Sequence, residues 1–146
     1  MPIDETERKR RRDLVHAHMA AENAHDLEAI LATFSAGASG LLNQLPIAGD
    51  EAIRQAHVLL GLSSAPGALL GTRIVPEREH ISDDEIIVEG RVFTQHVGPF
   101  FGLAPTNAQV ELFYTAVYRF DADGKLASEH VKMDLGPLDA RWKPFA

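Results

Sequence analysis

Two long segments of alternating polarity carry the side chains best suited to chemistry in this sequence. The first, residues 85–96, has an apolar row at its even-numbered positions that ends in His96. The second, residues 110–120, presents Tyr114 and Tyr118 in its even-numbered row. Successive side chains of a β-strand point to opposite faces, so each row lies on one face. We therefore predict a buried sheet face that becomes polar at one end and borders a ligand pocket.

His96 and the two tyrosines suit proton transfer on a carbonyl compound. A histidine with its ordinary pKa of about 6.5 can exchange a proton near neutral pH or orient a substrate carbonyl. The hydroxyls of Tyr114 and Tyr118 can donate hydrogen bonds to an enolate oxygen. The alternatives are a buried histidine bonded to a backbone carbonyl and tyrosines that pack in the core. We predict His96 as a catalytic residue and Tyr114 and Tyr118 as substrate-binding residues.

The last predicted strand supplies a carboxylate that can act as a general base. His130 and Asp134 share one face of this strand. A carboxylate in an apolar pocket has a raised pKa and can remove a proton next to a carbonyl. The opposite assignment puts this row outside and turns Val131 and Met133 inward, and the pattern does not distinguish the two. We predict Asp134 as catalytic and His130 as substrate-binding, with Glu111 as the alternative base.

The helical half of the chain supplies the wall and the mouth of the pocket. Phe34 closes an apolar stripe at helical spacing and is predicted to form the wall, and Asn23 lies in the turn before that stripe. His18 lies on the stripe of the first helix, and His57 lies on that of the third, where we expect a satisfied histidine of the core or rim. No histidines and carboxylates show the spacing of a metal-binding motif. We expect no metal and no organic cofactor.

The order of the elements predicts an α+β fold. Three amphipathic helices precede a series of long strands joined by short turns, and strands of this length imply strong curvature. We predict a curved mixed or antiparallel sheet that forms a cone-like half-barrel closed by about three N-terminal helices. A single domain is expected over residues 1–146, with its core at 14–135 and an irregular tail at 136–146. The second helix is predicted at 27–34, and the strands at 72–81, 85–96, 110–120 and 125–135.

Composition places the chain among ordinary globular proteins. Of its 146 residues, 45% are apolar and 24% are charged. The net charge of −7 argues against a general binder of nucleic acid or anionic membranes. The absence of cysteine excludes a disulfide framework and a thiolate nucleophile, and a cytoplasmic protein is the default expectation. The basic run at residues 8–12 is interpreted as a solvated helix face.

The connection between the two alternating segments resembles a stretch of the SnoaL-like polyketide cyclases, within the nuclear-transport-factor-2-like superfamily. Residues 21–27, 49–53 and 120–125 resemble the family's helix–turn–helix entry, the start of its third helix and its last hairpin. The matching positions in the connection are Gly98, Phe100 or Phe101, Gly102, Pro105 and Thr106. Gln95 and Asn107 stand where the family more often has glycine, and no position matches its catalytic aspartate.

The resemblance implies a cofactor-free acid/base enzyme that acts on an apolar, carbonyl-containing small molecule, with the aldol chemistry of polyketide cyclases. Two alternatives remain open. One is a non-catalytic module that binds a hydrophobic ligand or forms a dimer, and the other is an isomerase, dehydratase or epoxide hydrolase on the same scaffold.

A homodimer is expected from the outward row of the two alternating strands. Four of its residues are too apolar to face water: Ile87, Phe93, Phe113 and Val117. The expected partners are therefore a second copy of the chain and a hydrophobic small molecule, with no nucleic acid and no membrane.

Overall fold

Three α-helices pack on one six-stranded sheet in the computed structural model, which describes residues 2–143. This arrangement confirms the predicted α+β fold. The helices are α1 (Glu5–Asn23), α2 (Leu27–Leu31) and α3 (Asp50–Leu59). The strands are β1 (Phe34–Leu42), β2 (Leu45–Ala48), β3 (Leu69–Ile81), β4 (Glu85–His96), β5 (Gln109–Phe120) and β6 (Leu126–Met133). A short 3-10 turn follows at Gly136–Leu138, and the last three residues of the predicted tail lie outside the described part of the chain.

The sheet is mixed and unclosed. Its strand order is β2-β1-β6-β5-β4-β3, so β2 and β3 are its edges. Only the pairing of β1 with β6 is parallel among the described strands, and all others are antiparallel. Two shifts of register interrupt β3, and bulges of this kind increase strand twist. The curved sheet and the three helices over it form the predicted cone-like half-barrel.

The two central strands have the predicted bounds and the predicted faces. β4 alternates strictly, with buried side chains at every even position from Ile86 to His96. In β5 the buried positions are Leu112, Tyr114, Ala116 and Tyr118. The alternation of polar and apolar residues was sufficient to predict these strands, because each lies between two neighbouring strands and buries one face along its length.

The first and third helices also begin where the sequence indicates. Asp4 caps α1 by accepting a hydrogen bond from the backbone N–H of Glu7 at 2.8 Å. The basic run is a solvated face only in part. Arg10 pairs with Glu7 on the exposed side of the helix, whereas Arg8 and Arg11 turn toward the sheet and contact Asp83. No helix within residues 2–143 is long and apolar enough to cross a membrane.

The second helix is shorter than predicted, and the prediction of a helix at 27–34 was wrong. α2 ends at Leu31, and Phe34 instead opens β1. The hydroxyl of Thr33 donates to the carbonyl of Ile30, while the Thr33 carbonyl accepts from the backbone N–H of Leu126 in β6. Phe34 therefore begins a strand because β6 supplies its pairing partner. The hairpin of β1 and β2 was not predicted either, since its first strand is rich in Gly, Ala and Ser.

The structure shows which side of β6 faces the interior. Val131 and Met133 point inward, and the row that contains His130 lies outside. Met133 is buried and Val131 packs against the core, whereas the buried Leu126 precedes a shift of register in the pairing with β5 and so does not follow the alternation of the later residues. The opposite row carries Lys132, which is exposed, and His130. The inward row also contains Glu129, a charged residue on the interior side of the strand.

Gly90 allows β3 to approach β4 closely beside Tyr114. A Cβ atom at this position would lie 2.3 Å from the carbonyl oxygen of Val75 and 3.1 Å from the Tyr114 ring. We expect Gly90→Ala to lower the free energy of unfolding by about 1–3 kcal/mol, because a backbone carbonyl cannot move aside without displacing its strand. Urea unfolding followed by circular dichroism would measure this change. Unchanged or increased stability would show that the two strands separate easily.

Candidate functional site

Helix α1 carries two ionisable side chains into the interior of the cone. His18 and Glu22 are four residues apart, so they lie one above the other on the same helix face. His18 is fully buried, and Glu22 is only 5% exposed. A histidine and a carboxylate at this depth require specific partners, since an unpaired buried charge is strongly unfavourable.

The partners come from the third helix and from the last strand. His57 lies in the last turn of α3, and its side chain is 5% exposed. Glu129 projects from the inward row of β6, opposite Tyr118 of β5, and its side chain is 10% exposed. The four residues, His18, Glu22, His57 and Glu129, are referred to below as the interior cluster.

The polar atoms of the interior cluster converge. Nε2 of His18 lies 2.8 Å from Oε2 of Glu129 and 3.2 Å from Oε1 of Glu22. Nε2 of His57 lies 3.6 Å from Oε1 of Glu22 and 3.9 Å from Oε1 of Glu129. One ligand atom from each residue falls within 4.8 Å of all the others. Three separate elements thus bring two imidazoles and two carboxylates to one point.

In both histidines, a hydrogen bond from Nδ1 orients the ring. Nδ1 of His18 lies 2.8 Å from the hydroxyl oxygen of Thr33, and that hydroxyl donates to the carbonyl of Ile30 at 2.6 Å. The hydroxyl must therefore accept from Nδ1–H. Nδ1 of His57 donates in the same way to the carbonyl of Ile53 at 2.8 Å. With Nδ1 protonated in both rings, each Nε2 is the atom that faces the carboxylates.

The two histidines and Glu22 have strongly displaced pKa values. Burial lowers the pKa of His18, but the charges of Glu22 and Glu129 outweigh it and raise that pKa to about 10. Burial raises the pKa of Glu22, yet the neighbouring imidazoles reverse this and lower it to about 2. The pKa of His57 is lowered by burial and raised more strongly by Glu22 and Glu129, so the net direction is upward. In the absence of a metal ion, the protonated histidines and the neighbouring carboxylates therefore form a network of buried ion pairs.

Aromatic side chains surround the interior cluster. The rings of Phe34 and Tyr118 pack edge-on against His18, with centroids 5.3 Å and 5.6 Å away. Burial, followed by the charges of the two glutamates, raises the pKa of both Tyr114 and Tyr118. Both tyrosines therefore remain protonated hydrogen-bond donors. Within residues 2–143, the buried hydroxyl of Tyr114 has no hydrogen-bond partner.

An interior cavity of about 30 Å³ adjoins the cluster. Polar groups on its surface come from Glu22, Glu129, Thr72 and the two tyrosines, and the rest of the lining is apolar, including Leu62 and Val92. This volume has room for a water molecule or an ion. A larger molecule can enter only if the segment after α3, which contributes Leu60 and Leu62, moves outward.

Of the residues predicted from sequence, Phe34, Tyr114 and Tyr118 lie at the interior cluster or its cavity. His96 is buried on the same sheet face but at the end of β4, where its Nδ1 accepts from the backbone N–H of Thr106 at 3.3 Å. Its Nε2 has no partner. His96 lines none of the cavities described here, and its catalytic role remains a prediction.

The remaining predicted residues lie away from the interior cluster. Asp134 is exposed and accepts a hydrogen bond from the backbone N–H of Gly136, and His130 is on the outward row of β6. Asn23 forms two hydrogen bonds with the backbone of Ile74 in β3 and so ties the end of α1 to the sheet edge. The catalytic and substrate-binding roles of these three residues remain predictions. None of the three lines the interior cavity. Glu111 is also on the outer face, paired with Arg91.

The interior cluster has the composition of a metal-binding site. Imidazole nitrogens and carboxylate oxygens bind first-row divalent metals, and the four donor atoms here are close enough to share one ion. The sequence-based expectation of no metal rested on the lack of a local motif. It did not take into account residues that converge from α1, α3 and β6, and it stays a prediction.

The sequence profile of the SnoaL-like domain matches residues 15–129. This chain belongs to the SnoaL-like family. The matched region contains all four residues of the interior cluster. The resemblance found in the connection after β4 is thereby confirmed, and no curated protein matches this SnoaL-like sequence.

Solved structures share the fold of this SnoaL-like protein at low sequence identity. A SnoaL-like polyketide cyclase candidate from Jannaschia sp. CCS1 is 18% identical with a TM-score of 0.78, covering 96% of this chain and 99% of its own. The epoxide hydrolase/cyclase-like enzyme SalBIII, of pyran ring formation in the polyether salinomycin, is 17% identical with a TM-score of 0.70, covering 88% and 94%. An NTF2-like protein of unknown function from Burkholderia pseudomallei K96243 is 16% identical with a TM-score of 0.70, covering 90% and 98%. These likenesses show the fold.

The cluster was not predicted from sequence. Glu22 and Glu129 were not singled out, although both side chains point into the cone. His18 and His57 were recognised on apolar stripes, and His57 was expected to be a satisfied histidine of the core or rim. The available signal was the pair His18 and Glu22, since a charged residue one turn after a histidine on an apolar stripe indicates a buried ion pair.

Proposed function

We propose that this SnoaL-like protein is an enzyme that transfers protons at a carbon next to a carbonyl group, with the interior cluster as its catalytic centre. One observation carries the proposal. Four ionisable side chains meet inside an otherwise apolar cone, and the two carboxylates among them, Glu22 and Glu129, line an interior cavity together with the hydroxyl-bearing Tyr114. Unsatisfied buried polar groups are rare in folded proteins and are concentrated at functional sites.

Each residue of the centre has a role that follows from its position. Glu129 takes the proton, because its carboxylate lines the cavity. Tyr114 donates its free hydroxyl to the oxygen on which negative charge develops. His18 supplies the positive charge next to Glu129, and Thr33 keeps its ring in place.

The substrate that fits these features is a small, apolar carbonyl compound. The lining beyond the cluster is aliphatic and aromatic, so it favours a hydrocarbon body over a charged one. Aldol cyclisation, double-bond isomerisation and dehydration all begin with the same proton removal, and the geometry supports this shared step.

Exchange of α-protons for deuterium tests the proposal without knowledge of the natural substrate. The protein is incubated in D2O with a panel of compact cyclic ketones and β-keto esters, and loss of the α-proton signal is followed by NMR. We expect at least one compound to exchange faster than in buffer at the same pD. A module that only binds a ligand would leave every exchange rate at the buffer value, and that result would contradict the proposal.

We further propose that the protein forms a homodimer through the outer face of its sheet. Phe113 is 61% exposed at the centre of this face. It borders an open groove of about 550 Å³ that also presents Lys132, Asp134, Glu77 and Arg78. Charges of both signs around one apolar centre suit a second copy, because a two-fold axis places the same patch against itself.

Replacing Phe113 with glutamate tests the dimer. We expect the dimer dissociation constant to rise by at least about 30-fold, because a central aromatic contact of this kind contributes about 2 kcal/mol or more. Light scattering over a range of concentrations measures the change. Phe101→Glu, at a half-exposed aromatic residue in the loop after β4, is the matched control and should leave the mass unchanged. A wild-type protein that is monomeric throughout would contradict the proposal.

A further inference from the structure

The contacts within the interior cluster require a cation. Both histidines use Nδ1–H to donate to Thr33 and to the carbonyl of Ile53, so a neutral ring presents the lone pair of Nε2 to the carboxylates. A nitrogen lone pair facing a carboxylate oxygen at 2.8 Å is repulsive unless positive charge lies between them. Protons on the rings are one source of that charge, and a metal ion is the other.

The alignment of the contacts favours a shared ion over separate hydrogen bonds. Nε2 of His18, Nε2 of His57 and Oε2 of Glu129 are all buried, yet none has a partner in hydrogen-bonding geometry. The 2.8 Å contact between His18 and Glu129 is close enough for one hydrogen bond, but the contacts within the cluster do not give all of these atoms an aligned partner. Buried polar atoms that lack aligned partners and converge on one point indicate a single cation that binds them all.

The donor atoms are close enough together to surround one metal ion. An ion held by nitrogen and oxygen at its usual bond lengths of ~2.0–2.2 Å separates neighbouring tetrahedral ligands by about 3.3–3.6 Å. The histidine Nε2 atoms lie 2.8 to 3.9 Å from the carboxylate oxygens, and His18 and His57 face different oxygens of Glu129, so small side-chain adjustments would bring four donors to that spacing. Two carboxylates also balance the charge of one divalent ion.

The groups behind the ligands complete the arrangement. Metal-binding histidines generally donate their second N–H to an oxygen, which orients the ring. Thr33 and the Ile53 carbonyl do this here, and the ring of Phe34 packs beside both imidazoles. The adjoining cavity has room for one water as a further ligand.

We infer that His18, Glu22, His57 and Glu129 form a binding site for one divalent first-row transition metal of the zinc class. In catalysis, the ion would polarise a carbonyl oxygen or a bound water. Only this catalytic role of the ion rests on the proposed function. Metal binding itself does not depend on any reaction. Imidazole ligands disfavour Mg²⁺ and Ca²⁺, which prefer oxygen.

Cobalt provides a direct readout. The purified full chain is dialysed against a chelator and titrated with Co²⁺, whose visible absorption is more intense in a four- or five-coordinate site than in water. We expect saturation at one ion per chain and displacement by Zn²⁺, with the Zn²⁺ affinity measured by calorimetry. Absence of saturable binding to the folded wild-type protein would overturn the inference and would show that protons alone occupy the cluster.

Variants separate this site from adventitious binding. His57→Gln should weaken Zn²⁺ affinity by more than about 100-fold, and Thr33→Val, which removes only the support of His18, by about 10–100-fold. The matched control is His16→Gln, because His16 and Glu79 form an exposed pair 2.6 Å apart between α1 and β3. Equal affinity in wild type, His57→Gln and Thr33→Val would overturn the inference. Circular dichroism verifies folding, and Thr33→Val keeps the test decisive if His57→Gln does not fold.

The two proposals fail in different ways. Ketone exchange that persists in the chelated protein, with no metal binding, supports the proposed function and overturns the metal site. One tightly bound ion without exchange of any ketone supports the metal site and contradicts the proposed function.

Discussion

Replacing His18 with leucine is expected to lower the free energy of unfolding of the metal-free protein by about 3–5 kcal/mol. Leucine fills a similar volume, but it leaves Glu22 and Glu129 in the interior without the positive charge that compensates them. His18 is fully buried and lies within 3.2 Å of both carboxylates, so water cannot replace it. Urea unfolding near neutral pH measures the loss.

Two comparisons identify the cause of this loss. His16→Gln changes an exposed histidine two residues earlier in the same helix and should alter stability by less than about 1 kcal/mol. The double variant His18→Leu with Glu22→Leu should recover part of the loss, because an apolar pair can replace a buried ion pair. A loss below 1 kcal/mol in His18→Leu would contradict the ion network described here.

Replacing Glu129 with glutamine is expected to slow α-proton exchange by at least about 100-fold, the scale of a lost general base. Glutamine preserves the shape of the side chain but cannot accept the proton. Its amide also places an N–H group close to His18. The exchange rate of the best ketone from the panel, measured at saturating concentration, provides the comparison.

Adjacent residues supply the controls for Glu129. His130→Gln alters the next residue of β6, which lies on the other face of the sheet, and should retain the wild-type rate. Asp134→Asn tests the base predicted from sequence, and His96→Ala tests the predicted acid. A large loss in Asp134→Asn with a normal rate in Glu129→Gln would transfer the catalytic centre away from the interior cluster.

The central part of the sheet could be predicted from sequence because β4 and β5 each bury one face along their whole length. Strict alternation then gave the bounds of both strands and the inward direction of His96, Tyr114 and Tyr118. The start of α1 followed from a local signal, the capping side chain of Asp4.

The interior cluster could not be predicted in this way, because its residues lie together only through tertiary packing. β6 has intermediate burial through most of its length, so its sequence did not show that Glu129 points inward. The strand β1 exists because β6 pairs with it in parallel, and its small residues have no strong preference of their own. A charged side chain near the end of α1 is usually solvated, and Glu22 differs because α3 and β6 cover it.

A crystal structure of the protein with the ketone that exchanges fastest is the most direct measurement of the central claim. We expect the ligand in an opened interior cavity, with its oxygen about 2.6–3.2 Å from the hydroxyl of Tyr114 and its α-carbon facing Glu129. Density for the ligand only on the outer face, beside Phe113 and Asp134, with an unchanged interior, would contradict it.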